Sequence, residues 1–204
     1  MAALVELSGV WKRFARDWVL RDVRLAVEAG EAVALLGPNG VGKTTLLRVA
    51  AGLTRPQRGE VRLFGKPAAR IEAERGELLF LANPPAFYRH LTGEENLTSW
   101  LLLLGRPADP EAVAEALAEV GLPRGRPVLA YSSGMKKRLA LARVLLARPR
   151  LLLLDEPETA LDEEGRTLLA RAIAEVRGSG GGVLLATHDR AFAEGVADRE
   201  VVLS

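Results

Sequence analysis

Gly37-Pro38-Asn39-Gly40-Val41-Gly42-Lys43-Thr44 stands between a short apolar run, Ala32–Leu36, and a segment of helical periodicity, Lys43–Ala51, that Gly52 closes. The stretch fits G-x-x-x-x-G-K-[ST] in the context that confirms it, a buried strand leading in and a helix leading out. Gly37, Gly40 and Gly42 let successive backbone N–H groups converge on an anion, and the helix N-terminus adds positive dipole. Lys43 can reach the β- and γ-phosphates of a nucleotide, and the hydroxyl of Thr44, followed by Thr45, can ligate Mg²⁺. A strand, phosphate loop and helix in this order predict an α/β fold with a P-loop NTPase sheet core.

The second informative stretch is Leu151-Leu152-Leu153-Leu154-Asp155-Glu156. Four apolar residues ending in two acids describe a buried strand whose tip emerges at a site, and open α/β sheets bind ligands at such carboxyl ends. Asp155 is placed to hold Mg²⁺ through water, and Glu156 to polarise an attacking water.

Around these two stretches strands and helices alternate. Leu4–Leu7, Val19–Val27, Glu60–Phe64 and Leu78–Leu81 read as strands, with Leu4–Leu7 and Val19–Val27 forming an N-terminal antiparallel β part. After Asn83 the pattern becomes helical, with Glu94–Leu104 and Pro110–Val120 as helices. This predicts one domain with a core of residues 1–83 and 143–204 and an inserted helical lobe at about 84–142. The α/β pattern resumes with a helix Glu163–Arg177, a strand Val183–Ala186, a short helix Ala191–Val196 and a last strand Glu200–Leu203. No C-terminal regulatory domain is expected.

Composition narrows the function classes. Among 204 residues, 28 basic and 26 acidic side chains leave a net charge of +2, too balanced and too scattered to signal nucleic-acid binding. There is no cysteine, so disulfides and thiolate metal sites are ruled out. The N-terminus lacks the basic and apolar regions of a signal peptide, and no apolar run reaches the 18 or more residues of a membrane helix.

Together with Tyr131-Ser132-Ser133-Gly134-Met135-Lys136-Lys137-Arg138, the two motifs resemble an ABC ATPase over essentially the whole chain. In that family a signature of the L-S-G-G-Q kind opens a helix, here Met135–Ala147. Ser132, Ser133 and Gly134 at a helix N-terminus make a second phosphate site, which in the family meets the γ-phosphate held by a partner subunit's P-loop. By the same resemblance Ala160-Leu161-Asp162 corresponds to the loop that crosses the dimer interface, and His188 to the γ-phosphate switch histidine. Phe14 falls where an aromatic residue stacks on adenine, with a core role as the alternative and Trp11 or Trp18 as competitors. His90 is read as solvated.

Two departures from the family pattern stand out. Asn83 occupies the place of a glutamine, with a reach shorter by about 1.5 Å, one C–C bond. It can ligate the cation through a bridging water. The signature reads Ser-Ser-Gly-Met rather than Ser-Gly-Gly-Gln, and the small Ser133 is expected to be tolerated.

The resemblance implies an ATPase that uses ATP and Mg²⁺ and closes as an ATP-dependent head-to-tail homodimer. It also implies a separate transmembrane permease partner, a cytoplasmic location at the inner face of the membrane, and no direct membrane insertion. A bare cassette with this signature is similar to haem-exporter subunits of cytochrome c maturation, and nearly as similar to multidrug or antibiotic exporter subunits. A non-transport ABC ATPase and a P-loop kinase are the alternatives. Phe87, Tyr88 and Leu91, in a turn-rich segment before the lobe's first helix, are expected to form an exposed apolar docking surface.

Overall fold

The structure, a computed structural model, describes residues 3–71 and 76–203. Its strands are β1 (Val5–Phe14), β2 (Asp17–Val27), β3 (Ala32–Leu36), β4 (Arg58–Leu63), β5 (Lys66–Pro67), β6 (Leu78–Leu81), β7 (Leu151–Asp155), β8 (Gly182–Ala186) and β9 (Arg199–Val202). Its α-helices are α1 (Lys43–Ala50), α2 (Gly93–Leu103), α3 (Pro110–Glu119), α4 (Ser133–Ala147), α5 (Glu163–Gly178) and α6 (Arg190–Val196).

The strands form two sheets, one of order β2-β1-β4-β5 and one of order β6-β7-β8-β3-β9. Pairing in the first is antiparallel and in the second parallel. The parallel strands β3, β7 and β8 are buried along their whole length, which explains their continuous apolar runs.

Strand alternation sorts these residues onto two faces. Ala32, Ala34, Leu36, Leu152, Leu154, Val183 and Leu185 pack into a core that includes residues of α2 to α6. Val33, Leu35, Leu151, Leu153, Leu184 and Ala186 pack into a second core with α1 and the antiparallel sheet. Asp155 continues the odd-numbered set of β7 and so emerges on the α1 side, where the phosphate loop is.

The caps follow from sequence. Thr92 and Glu95 close a reciprocal capping box at α2, and Asp109 with Pro110 starts α3. Ser132, Asp162 and Asp189 each accept a backbone N–H at the start of α4, α5 and α6.

Three differences from the sequence reading have local causes. The first strand extends to Phe14, far past Leu7, because Gly9 at φ 60° carries an irregularity that breaks the period-2 signal but not the pairing. A Cβ on Gly59 would lie 2.2 Å from the Gly9 carbonyl oxygen, so glycine at 59 lets β1 and β4 pass closely. The helix expected from Met135 begins at Ser133, because Ser132 caps its first turn by accepting the Met135 N–H. Phe87 is half-buried, packed on the first core and beneath the Arg143 guanidinium at 4.3 Å, so it is no part of an exposed cluster. Tyr88 is 59% exposed and Leu91 half-buried.

Candidate nucleotide site

The strand order places the carboxyl ends of β6, β7, β8 and β3 side by side. Asn83 follows β6, Asp155 ends β7 and Glu156 follows it, Thr187 and His188 follow β8, and Gly37 follows β3. Residues as far apart in the chain as Gly37 and His188 therefore meet at one edge of the sheet.

A cavity of about 410 Å³ opens there, lined by Val19, Asn39, Gly40, Gly42, Lys43, Thr44, Thr45, Asn83, Asp155 and Glu156. Among the described α-helices, α1 is the one whose first turn no side chain caps, and Gly42 is its N-cap at φ 113°. Its free amide donors and dipole are thus turned to the cavity as an anion site. Glycine is required at 42 and 37. A Cβ on Gly42 would meet Val19 at 2.8 Å, and one on Gly37 the Leu203 carbonyl oxygen at 2.7 Å. The Lys43 ammonium donates to the carbonyls of Gly37 at 2.6 Å and Pro38 at 3.1 Å. It is thereby held against the loop with its charge at the cavity wall.

The Thr44 hydroxyl lies 3.0 and 2.9 Å from the two carboxylate oxygens of Asp155, 111 residues away. Asp155 is buried, and burial pushes its carboxyl above the ordinary range, opposed by the Thr44 hydrogen bond. Hydroxyl and carboxylate oxygens are the hard donors that Mg²⁺ takes, and one carboxylate with a hydroxyl and nucleotide phosphates is its usual set. Among the described residues no three His, Cys, Asp or Glu gather as a metal-binding group.

Beside them Glu156 is held from both sides. Asn83 Nδ2 donates to its Oε2 at 3.2 Å, and His188 Nδ1 lies 3.5 Å from its Oε1. The His188 side chain is 56% exposed.

Ser132, Ser133, Gly134 and Asp162 meet in a separate cavity of about 450 Å³, with Gly121, Met135, Arg138, Ala160 and Glu164. A Cβ on Gly134 would lie 2.8 Å from the Ala160 carbonyl, so only glycine admits this approach of the two loops. Ser133 is exposed. Arg138 bridges Asp162 at 2.8 Å and Glu164 at 2.7 Å. Its hydrogen bond holds the Asp162 carboxyl below the usual range.

Pro38 and Val41 shape the loop without lining the first cavity, and Phe14 is not in its wall. Phe14 is 53% exposed, which excludes the core role, and the Lys12 ammonium sits 5.2 Å from its ring. Trp11 and Trp18 pack edge-to-face on each other at 5.4 Å, and Trp18 carries Arg13 at 5.4 Å.

Two buried polar residues beside the site were not singled out by sequence reasoning, Lys137 and Glu158. The signal for Lys137 was present. It shares the i, i+4, i+7 face of α4 with Leu141 and Val144, so it turns inward.

Residues 20–159 match the family model described as ABC transporter. A cytochrome c biogenesis ATP-binding export protein CcmA from Pseudomonas putida is 45% identical, over 85% of this chain and 84% of that protein. A sulfate/thiosulfate import ATP-binding protein CysA from Escherichia coli K12 is 38% identical over 98% of this chain, which spans 57% of that relative's length. A solved ATP-binding subunit of an ABC transporter superposes with a TM-score of 0.88 at 32% identity, covering 98% of this chain and 85% of that one. The ATP-binding cassette MJ0796, solved as a dimer in a post-hydrolysis state with ADP and Pi, gives 0.87 at 26% identity, covering 98% and 94%.

Proposed function

This chain belongs to the ATP-binding subunits of the ABC transporter family, and we propose that it binds and hydrolyses ATP on behalf of a separate membrane-spanning permease. The observation that carries the reading is the contact of Thr44 with Asp155 across the sheet, beside an uncapped helix start. The β- and γ-phosphates enter the loop of Gly37 to Thr45, with Lys43 supplying charge against them. Thr44 and Asp155 would hold Mg²⁺, with Asn83 reaching it through water, and the ion would neutralise phosphate charge. Glu156 orients the attacking water and takes its proton, and His188 faces the γ-phosphate. Phe14, exposed on the neighbouring sheet, is offered to the adenine.

The second cavity would serve the site of another copy. Ser132, Ser133 and Gly134 present a helix N-terminus, and Asp162 lies beside it. A head-to-tail homodimer pairs each phosphate loop with its partner's signature, giving two sites. Within this proposal residues 1–83 and 143–204 form the ATPase core, and 84–142 form a lobe that receives the permease. No described helix is long and apolar enough to cross a membrane. Attachment to the inner face of the membrane then comes through the permease.

For the cargo we take haem export first, because the cytochrome c biogenesis relative is matched along most of its length. Sulfate or thiosulfate import is the second reading, carried by a relative that the chain spans only in part. The test is phosphate release by the purified chain with and without Mg²⁺, beside Lys43→Ala. Wild-type hydrolysis that Lys43→Ala abolishes, in a folded protein by circular dichroism, is the expected result. A folded Lys43→Ala variant at wild-type rate overturns the reading.

A further inference from the structure

Two buried charges lie between α4 and the strand tips and have no part in the mechanism above. Lys137 is 8% exposed and Glu158 is 2% exposed. Burying a charge is costly unless it is partnered, so each demands an account.

The Lys137 ammonium donates to the backbone carbonyl of Glu156 at 2.6 Å. Burial pushes it below the ordinary lysine range, opposed first by the field of Glu158 and then by Asp155 and Glu156. Glu156 is held at φ 45°, in the left-handed region. A side-chain-bearing residue stays there only when its surroundings over-determine it. Three bonds do so. The Glu156 N–H donates to the Ala186 carbonyl at 2.8 Å, the Thr159 N–H reaches the Glu156 carbonyl at 3.4 Å, and Lys137 supplies the one charge-assisted bond.

Glu158 acts on the other side. One carboxylate oxygen accepts from the Thr187 hydroxyl at 2.5 Å, and that hydroxyl accepts from the Asp189 N–H at 2.9 Å. The residues before and after His188 are thereby pinned. The second oxygen of Glu158 has no hydrogen-bond partner among the described residues, and the field of Glu158 is the largest of those that oppose the cost of burying the Lys137 ammonium.

We infer that Lys137 is a positioning residue that fixes the Glu156 backbone from the signature helix, with Glu158 as the buried counter-charge that retains it and anchors the His188 loop. The inference rests on the ATPase reading above. It has a mechanical consequence. The N-terminus of α4 carries Ser132 to Gly134, the surface offered to a second copy's nucleotide. A displacement of α4 on dimer closure is passed through Lys137 to the aim of Glu156. Competence in one site then depends on engagement of the signature in the other.

The test uses the purified full chain. Lys137→Met keeps the stem and removes the donor, Lys137→Arg restores a cationic donor, and Glu158→Gln removes the counter-charge while keeping the Thr187 bond. Steady-state hydrolysis, single-turnover rates and equilibrium ATP binding are measured. Lys137→Met is expected to lower kcat by about 10- to 100-fold with KM and ATP affinity within about twofold, since misplacing a reacting group costs rate more than binding. Lys137→Arg should recover most of that loss. In a Glu156→Gln background Lys137→Met should cost nothing further, because a residue acting only through the carboxylate is silent once the carboxylate is gone. Three results overturn the inference: unchanged kcat, parallel loss of ATP affinity, or a loss that multiplies on top of Glu156→Gln. Should Lys137→Met fail to fold, the same split and the same cycle on Glu158→Gln decide. A wild-type chain that hydrolyses no ATP, or a Glu156→Gln variant as active as wild type, is a separate result that removes the ATPase reading and this inference with it.

Discussion

The Asn83 amide donates to the Glu156 carboxylate at 3.2 Å, so the shorter side chain at this position still reaches the carboxylate proposed above to orient the water. The contact makes Asn83 an orienting donor whether or not it also reaches the cation. Asn83→Gln keeps the amide and is expected to hold kcat within about twofold or raise it slightly, by extending the reach to the metal. Asn83→Asp sets a second carboxylate against Glu156 and should lower kcat by about 10-fold or more, as like charges at this distance disfavour the ionised base. Initial rates of phosphate release at saturating ATP check both.

Glu156→Gln preserves the shape and removes the proton acceptor. Hydrolysis should fall by about 10²- to 10⁴-fold, the scale for a general base, while ATP binding persists. The variant should then elute as a dimer with ATP and as a monomer with ADP in size-exclusion chromatography. A monomer with ATP at every salt concentration counts against the dimer.

Phe87 and Tyr88 are adjacent in sequence and opposite in environment. Phe87 packs on the core under Arg143, so Phe87→Ala should cost about 1–2 kcal/mol from lost apolar burial and cation–π contact. Tyr88 is exposed and its bond to Asn96 uses the backbone N–H, so Tyr88→Ala should stay within about 0.5 kcal/mol. Denaturant unfolding of the two variants separates these expectations. Co-purification with the permease should fail for Tyr88→Ala if that residue contacts it.

The Asp189 carboxyl caps α6 and lies below its ordinary range, first through the Phe192 N–H and then through Arg166. A carboxyl with a depressed folded pKa adds stability above its unfolded value, near 3.9, and loses it as pH falls through the lower folded value. Asp189→Asn keeps a competent cap without the charge. It should be less stable than wild type at pH 7, with the gap closing below about pH 4. Thermal midpoints across that range measure it.

The local signals lay in the sequence. The phosphate loop, the Leu151–Leu154 strand with two acids after it, the helices Glu94–Leu104, Pro110–Val120 and Glu163–Arg177, and the all-helical segment after Asn83 can all be read there. Caps, glycine turns and apolar periodicity act between residues a few positions apart, so spacing alone carries them. Tertiary structure decided what spacing cannot encode. Strand order β6-β7-β8-β3 brings Asn83, Glu156, His188 and Lys43 to one edge, and that order is a matter of long-range pairing. The continuation of β1 past Gly9 was hidden because the irregularity erased the alternation while β2 and β4 still supplied its hydrogen-bond partners. Phe87 looked like a surface residue in a turn until Arg143, 56 positions on, covered its ring. Lys137 and Glu158 looked like two charges among many in a chain that is charged at 26% of its positions. Their meaning came from burial, which removes the water that would otherwise solvate them and leaves, among the described residues, the Glu156 carbonyl and the Thr187 hydroxyl to bond them in its place.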